Sequence, residues 1–294
     1  MSAVATPAPA STPAASEAKT ARRETLRQLL RSRTFLVGGA IVLFWVFWGI
    51  VGSKLTPHDP LAQSPDVLIG PGAGHWFGTD QLGRDVLSRV LAGASDTLKV
   101  APLATLLGIV LGTTVGLVTG FFLGFVDEAI SRVVDAVLAL PAVVTAVTAL
   151  VALGPSKLTL IIVIGVVFTP IVSRTVRAAV LAERDLDYVS AARLRGERPP
   201  YVMFVEILPN VMGPIIVEAT VRLGYAIFAV AGLTFLGFGV QPPSPDWSLQ
   251  IADNYTLLNA GTYAWTVLFP ALAVATLIVG VNLIADGLQQ VLDR

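Results

Sequence analysis

The chain has 294 residues, of which 54% are hydrophobic and 14% are charged, and its mean hydropathy is +0.74. Soluble domains carry about 25% charged residues, so this composition indicates an integral membrane protein. Lys and Arg together number 20, as do Asp and Glu, and this balance does not favour nucleic acid as a partner. The chain has no Cys and only two His, His58 and His75, which stand in no metal-ligand spacing. We therefore predict neither a catalytic centre nor a metal site.

The N-terminal region predicts a polar tail followed by one membrane span. Residues 1–20 are rich in Ala, Pro, Ser and Thr, a composition typical of disorder. Residues 21–33 carry five arginines, and Thr34–Ser53 then runs uncharged for 20 residues, enough to cross about 30 Å of hydrocarbon. A signal peptide is disfavoured because the apolar run is long and no small-residue cleavage site follows. We expect residues 21–33 to be a cytoplasmic flank and residues 34–53 to be the first transmembrane helix.

Five further uncharged runs can each hold one transmembrane helix. They are Val100–Val126, Ala136–Ser156, Leu158–Ser173, Leu223–Pro245 and Asn254–Ala285. Six spans with both termini in the cytoplasm would place 15 of the 20 basic residues on the inner side, in agreement with the positive-inside rule. The predicted fold is an all-α membrane protein whose residues 97–290 form a five-helix core.

An extracytoplasmic segment, residues 54–96, carries the signal of an amphipathic helix. Asp80 or the threonine before it can cap a helix N-terminus, and apolar and polar residues then fall on opposite faces. Asp80–Arg84 and Asp85–Arg89 are i,i+4 pairs, each worth only about 0.2–0.5 kcal/mol. We predict a helix that lies along the membrane interface. A structural brace and a substrate-handling role both stay open.

The second span contains five glycines, one at every fourth position. They are Gly108, Gly112, Gly116, Gly120 and Gly124. Small residues at i and i+4 let two helix backbones approach closely in lipid. We therefore predict tight packing of this helix against another, within the chain or across a subunit interface.

Glu218 and Arg222 are an i,i+4 pair near the predicted inner end of the fifth span. Ionisable residues at membrane depth are costly and are usually paired or face a cavity. A self-satisfied pair at the interface is the simpler interpretation, and part of an inner gate is the alternative. Residues 127–135 predict a short polar inner turn, and Pro141 predicts a kink in the third span.

The longest polar interruption of the second half lies within residues 184–214 and predicts a helix-turn-helix outside the bilayer. Asp185 or Asp187 can cap the first helix, and Gly196 suits a C-terminal residue with positive φ. Residues 201–208 restart as a return helix that Pro209 interrupts. The two adjacent alanines, 191 and 192, make the first helix thin enough for a partner's groove, and three arginines add a basic rim. An ordinary solvated loop would explain the arginines but not the alanine, glycine and proline pattern.

The loop's SAARLRG and EILP resemble the EAA motif of permease subunits in binding-protein-dependent ABC importers. In that motif Glu-Ala-Ala is followed after three residues by Gly, after nine more by Ile, and after one more by Leu-Pro. Ser190 stands here in place of the Glu, and Glu206 in place of the Ile. The resemblance implies that residues 184–214 are a coupling loop, which contacts an ATPase through Ser190, Ala191, Ala192, Arg193, Leu194, Arg195, Gly196, Glu206, Leu208 and Pro209.

Two further blocks, HWFGTDQLGRDVLSRVLAGA over 75–94 and GLTFLGFGVQPPSPDWS over 232–248, resemble the second permease subunit of dipeptide, oligopeptide and nickel importers. The resemblance implies a multi-pass protein of the bacterial inner (plasma) membrane. Its implied partners are a homologous second permease, two ABC ATPase subunits and an extracytoplasmic substrate-binding protein. The chain has no GxxxxGK[ST] phosphate loop, so no cofactor is expected in it, and ATP and Mg²⁺ are expected in the ATPases.

Other function classes fit the sequence less well. A secondary transporter would need ionisable residues at mid-membrane, and an intramembrane enzyme would need a nucleophile with a base or a metal set. An exporter would not carry an EAA-like block. Among importers, a di- or oligopeptide permease is the first expectation and a nickel permease the second.

Overall fold

The computed structural model describes residues 27–292. The predicted disordered tail over 1–20 and residues 21–26 of the predicted basic flank lie outside the described residues. Within residues 27–292 the chain has no β-strand, only one isolated bridge between Thr79 and Asp85. Five of its helices are long and apolar enough to cross a membrane, and a bent pair of helices makes a sixth if it counts as one span. The predicted all-α membrane fold is confirmed at this level.

The first two long helices differ in how well the sequence predicted them. Helix α1 (Arg33–Leu55) begins after Ser32, whose hydroxyl accepts a hydrogen bond from the Phe35 N–H, and it matches the predicted first span. Helix α2 (Val86–Phe122) has 37 residues, or a length of about 55 Å at 1.5 Å per residue. It begins after Asp85, not Asp80, and continues into the apolar run without a break. The prediction of a separate interfacial helix is therefore wrong, because Gly93 and Pro102 both lie inside α2 and neither ends the helix.

The predicted third span is broken. Helices α3 (Gly124–Leu138) and α4 (Ala142–Leu153) meet at an angle of 88°. Residues 127–135, predicted as a polar turn, belong to α3. The break lies next to Pro141, which has no N–H to continue a helical ladder. The 12 residues of α4 extend about 18 Å, which is less than the hydrocarbon thickness of about 30 Å.

The remaining elements alternate long helices with short connecting helices. Helix α5 (Lys157–Glu183) extends ten residues past Ser173, the end of the predicted uncharged run. The others are α6 (Asp187–Leu194), the pieces Pro199–Tyr201, Val202–Ile207 and Leu208–Asn210, then α7 (Met212–Phe235), α8 (Trp247–Asn254), a 3₁₀ turn (Tyr255–Ala260) and α9 (Trp265–Leu292). Helix α7 starts earlier than the predicted Leu223. The prediction began after Arg222 because it followed the uncharged run, whereas the helix also includes Glu218 and Arg222, which pair with each other. Helix α9 starts later than the predicted Asn254.

Helices α2 and α5 pack backbone to backbone along the glycine positions of α2. A Cβ added at Gly112 would lie 2.5 Å from the Cβ of Val172, and one at Gly116 would lie 2.7 Å from the carbonyl oxygen of Ser173. Gly108 and Gly120 face α5 in the same way. Gly124 departs from the prediction: it has a φ of +61°, has no neighbour within 4 Å of an added Cβ, and starts α3. The partner of the glycine stripe lies within this chain.

Candidate coupling surface and outer junction

Helix α6 presents one face to the protein and the other to solvent. Val189 and Ala192 are fully buried and pack in a cluster with Val176 and Val180 of α5. Ala191 is exposed, and Leu194 is 90% exposed. The two alanines of the motif therefore lie in different environments, because consecutive residues are about 100° apart around a helix. The expectation that both make the helix thin for a partner stays a prediction for Ala191, whereas Ala192 is buried against α5.

The turn after α6 has the predicted glycine geometry but not the predicted cap. Gly196 has a φ of +78°, a conformation that costs glycine little. The N-cap is Leu186, an extended residue without a side-chain hydrogen bond, and not an aspartate. Asp187 instead occupies the first turn, where a carboxylate favours the positive end of the helix dipole.

The return segment, residues 199–210, replaces the predicted α-helix with a π-helical turn at its centre. The turn spans Val202–Ile207, and the Leu208 N–H reaches back to the carbonyl of Met203. Pro209 follows directly, and its ring cannot donate to the carbonyl four residues earlier. The wider π turn accommodates that loss. Leu208 packs against the cluster that holds the buried face of α6.

The two departures from the EAA pattern have different surroundings. Glu206 accepts a hydrogen bond from Arg195 at 2.9 Å, across the turn between α6 and the return segment. The ion pair ties α6 to the return segment. Ser190 lies exposed on α6, on the same side as Ala191 and Leu194.

Two of the three arginines of the predicted basic rim (Arg193, Arg195 and Arg198) contact other side chains of the loop or of α2, namely Arg193 and Arg195. Arg184 donates to the carbonyls of Gly120 and Phe121 at 3.4 and 3.2 Å, at the end of α2 where helical carbonyls lack partners. The Arg193 guanidinium lies over the Phe121 ring, 5.0 Å from its centroid. These contacts fasten the loop to α2 and leave the exposed face of α6 chiefly apolar and small.

Tyr188 is a further anchor that the sequence did not single out. Its hydroxyl donates to Glu183 at 2.8 Å. Burial, with a smaller effect of the Glu183 carboxylate, raises the pKa of Tyr188 to about 12. The phenol therefore keeps its proton and continues to link α6 to the end of α5 at neutral pH.

The Glu218–Arg222 pair is formed, with 2.6 Å between Glu218 Oε1 and Arg222 Nε, and both side chains are largely buried. The Arg222 guanidinium also lies over the Phe168 and Tyr225 rings. A cavity of about 340 Å³ opens beside it between α4, α5 and α7, and apolar side chains line most of its wall. The two residues of the pair thus satisfy each other, and Arg222 also borders the cavity.

At the other end of α2 the four residues of the predicted interfacial helix form a junction, not a helix face. Asp80 accepts from Arg84 at 2.7 Å within a turn, and Arg84 also reaches Asp253 at 3.3 Å. The predicted Asp85–Arg89 pair does not form. Arg89 is 1% exposed and its Nε lies 3.7 Å from Asp80, while Asp85 caps α2.

The two blocks that resemble those of peptide permeases, residues 75–94 and 232–248, lie against each other. The Trp247 indole, fully buried, donates to the carbonyl of Val90 at 2.6 Å. Asp96 accepts from Ser244 and from Lys157, each at 2.5 Å. No pattern in the sequence predicts the contact between Asp96 and Lys157, because the two residues lie 61 positions apart.

Comparison with known proteins identifies the family of the chain. Residues 108–294 match the model of the family described as "Binding-protein-dependent transport system inner membrane component". The chain is 37% identical over 272 residues to the dipeptide transport system permease protein DppC of Alkalihalophilus pseudofirmus, with 92% of this chain and 89% of that protein covered. It is 40% identical over 270 residues to DppC of Escherichia coli K12, with 90% and 89% covered. It is 36% identical over 278 residues to the di/tripeptide transport system permease protein DppC of Pseudomonas aeruginosa, with 92% and 91% covered.

The chain therefore belongs to the family of inner membrane components of binding-protein-dependent transport systems. It is a membrane permease subunit of an ABC importer.

Proposed function

We propose that this chain forms half of the translocation pathway for di- and oligopeptides in the bacterial inner membrane. An extracytoplasmic binding protein delivers the peptide, a homologous second permease forms the other half, and two ATPases supply the energy. ATP and Mg²⁺ bind in those ATPases and no cofactor binds in this chain. Support for peptide as cargo comes from the relatives named for dipeptide and di/tripeptide transport. A nickel permease of the same subfamily is the second candidate.

The observation that carries the coupling role is the split between the two faces of α6. Its outer face offers Ser190, Ala191 and Leu194 to a partner. Its inner face is buried against α5 and the return segment, so a displacement of α6 has to move its neighbours because packed interiors deform little. The ATPase is proposed to seat on the outer face, with the Arg195–Glu206 pair holding the turn rigid. Both termini are placed in the cytoplasm, on the same side as this face.

Cross-linking tests the coupling role, and the natural absence of Cys removes background labelling. Leu194→Cys, modified with a thiol-directed photo-cross-linker in the assembled importer, should capture an ATPase subunit. Val189→Cys on the same helix is the matched control, because its side chain is fully buried and should capture none. Capture of the second permease or the binding protein from Leu194→Cys, with no ATPase, would contradict the assignment.

Uptake measurements test the cargo. Deletion of the chain should abolish growth on an imported dipeptide in a strain that needs it, and the Leu194→Asp variant should reduce uptake while the protein still reaches the membrane. Loss of nickel uptake with normal peptide uptake would favour the second candidate.

The Glu218–Arg222 pair is proposed as part of an inner gate. Its support is the position of the pair beside a cavity between α4, α5 and α7. Phe228 also lies on the cavity wall. In a Phe228→Cys variant, the accessibility of the thiol to aqueous reagents should change when ATP is added to the assembled importer. Unchanged accessibility would argue for the simpler structural role.

A further inference from the structure

Three side chains from separate parts of the outer segment converge at the start of α2. His58 follows α1, His75 lies in the loop before α2, and Asp85 caps α2. Ligand atoms of the three lie within 4.8 Å of one another, and the two imidazole rings are 4.8 Å apart between centroids. These are the only two histidines in the chain, and nothing in their sequence spacing predicted that they would meet.

The arrangement is held in place before any ligand arrives. Asp85 Oδ1 lies 2.8 Å from His75 Nδ1, and Asp85 Oδ2 accepts from the N–H and hydroxyl of Ser88. The His58 backbone N–H donates to the Ser88 hydroxyl at 3.1 Å. These bonds fix the backbone on either side of the cluster and hold the His75 ring beside the Asp85 carboxylate.

A purely structural junction explains His75 but not His58. The His58 side chain is 46% exposed, and its Nδ1 lies 3.8 Å from Asp85 Oδ2, too far for a hydrogen bond. Among residues 27–292 the His58 imidazole has no hydrogen-bond partner. A cavity of about 200 Å³, bordered by His58, Asp85, Gly74 and Trp76, opens beside the cluster. An ion with one or two waters fits that volume, since a water occupies about 30 Å³.

We propose that His58, His75 and Asp85 together bind one divalent cation of the Zn²⁺ class. Two imidazoles with one carboxylate suit Zn²⁺, with bonds of about 2.0–2.2 Å, whereas Mg²⁺ and Ca²⁺ prefer all-oxygen sets. Ligands of a tetrahedral ion lie about 3.4 Å apart at these bond lengths, so the cluster closes by a small rotation of the exposed His58. The bound ion fastens the segment after α1, the loop at His75 and the start of α2 to one another. The site lies apart from the coupling surface and the proposed gate.

Binding can be measured directly on the purified full chain in lipid nanodiscs. The protein carries a purification tag without His and is stripped with EDTA. Zn²⁺ is then titrated in competition with a chromophoric chelator. The wild-type chain should bind one equivalent, and His58→Ala should bind at least about tenfold more weakly. Without Cys and with only two His, the chain has little capacity for background binding.

Two matched variants separate the site from its surroundings. Asp59→Asn changes the exposed neighbour of His58 and should bind Zn²⁺ like the wild type. His75→Gln keeps a side-chain donor for Asp85 and should also weaken binding at least about tenfold. Unfolding without metal should be unchanged in His58→Ala, since the imidazole makes no hydrogen bond within the described residues. In ¹⁵N-histidine spectra, Zn²⁺ should shift both imidazole signals.

The proposal fails if the wild-type chain binds no stoichiometric Zn²⁺, or if His58→Ala binds it as tightly as the wild type. Should His75→Gln not fold, the His58→Ala comparison decides the matter alone. Neither result bears on the permease assignment, which peptide uptake tests separately.

Discussion

Replacing Gly112 with Ala tests the close approach of α2 and α5 at its tightest point. The added Cβ would lie 2.5 Å from the Cβ and 2.6 Å from the Cγ1 of Val172, whereas carbon atoms pack best at about 3.5–4.0 Å. Val172 is fully buried, and its Cβ is bonded to the backbone, so rotation cannot relieve the clash. The two helices have to separate by about 1 Å to restore normal contact.

The expected cost follows from two opposing effects. Overpacking in a filled interior costs about 1–3 kcal/mol, and Ala in place of Gly inside a helix returns about 0.5–1 kcal/mol. Gly232→Ala in α7 is the matched control, because an added Cβ there meets nothing within 4 Å. Gly112→Ala should therefore lie about 1–3 kcal/mol below Gly232→Ala in free energy of unfolding, measured by SDS titration of the purified chain with circular dichroism. Equal stability of the two variants would refute the packing argument.

Three further predictions rest on separate contacts. Gly38→Ala should destabilise the chain while Gly39→Ala does not in the same titration, because an added Cβ at Gly38 lies 2.6 Å from the Gly280 carbonyl and one at Gly39 meets nothing within 4 Å. Arg222→Met should lower the free energy of unfolding by about 3–5 kcal/mol, because it leaves the buried Glu218 carboxylate without its partner. The double variant Arg222→Met with Glu218→Gln should recover part of that loss. An additive double variant would show that the pair does not interact. Burial raises the pKa of the Asp246 carboxyl from 3.8 to about 6, so the folded chain holds this proton more tightly and its stability should fall as pH rises from about 4 to about 6. Asp246 is the N-cap of α8, and Asp246→Asn keeps a side-chain acceptor there. This variant should make the melting temperature independent of pH over that range, and an unchanged pH slope would exclude Asp246 as its source.

Apolar runs, together with the positions of Gly and Pro, predicted most of the long helices, because span length and proline chemistry are local properties of the sequence. Pro141 predicted a kink in the third span, and the break between α3 and α4 lies next to it. The size of the bend could not be predicted, because Ala136–Ser156 is uncharged and long enough to cross a membrane as one helix. The start of α2 was misplaced for a related reason. Asp80 and Asp85 are both good caps, and the choice between them depends on Ser88 and His75, which bind the second.

Single-residue roles on the coupling loop were less predictable than its shape. The glycine turn at Gly196 follows from local chemistry. Which alanine faces outward depends on Val176 and Val180 of a different helix, and these bury Ala192. Likewise, nothing local to Glu206 or Arg195 shows that the two residues meet across the turn.

The glycine stripe and the coupling loop are parts of one mechanical unit. Val172 fills the space above Gly112 and belongs to the same buried cluster as Val180 and Ala192. Helix α5 is therefore held to α2 on one side and to α6 on another. A displacement of α6 would pass to α5 through their shared buried cluster, and from α5 to α2 through the close contact at the glycines. Gly112→Ala, which loosens α2 from α5, should accordingly lower the rate of peptide uptake by a larger factor than the rate of ATP hydrolysis.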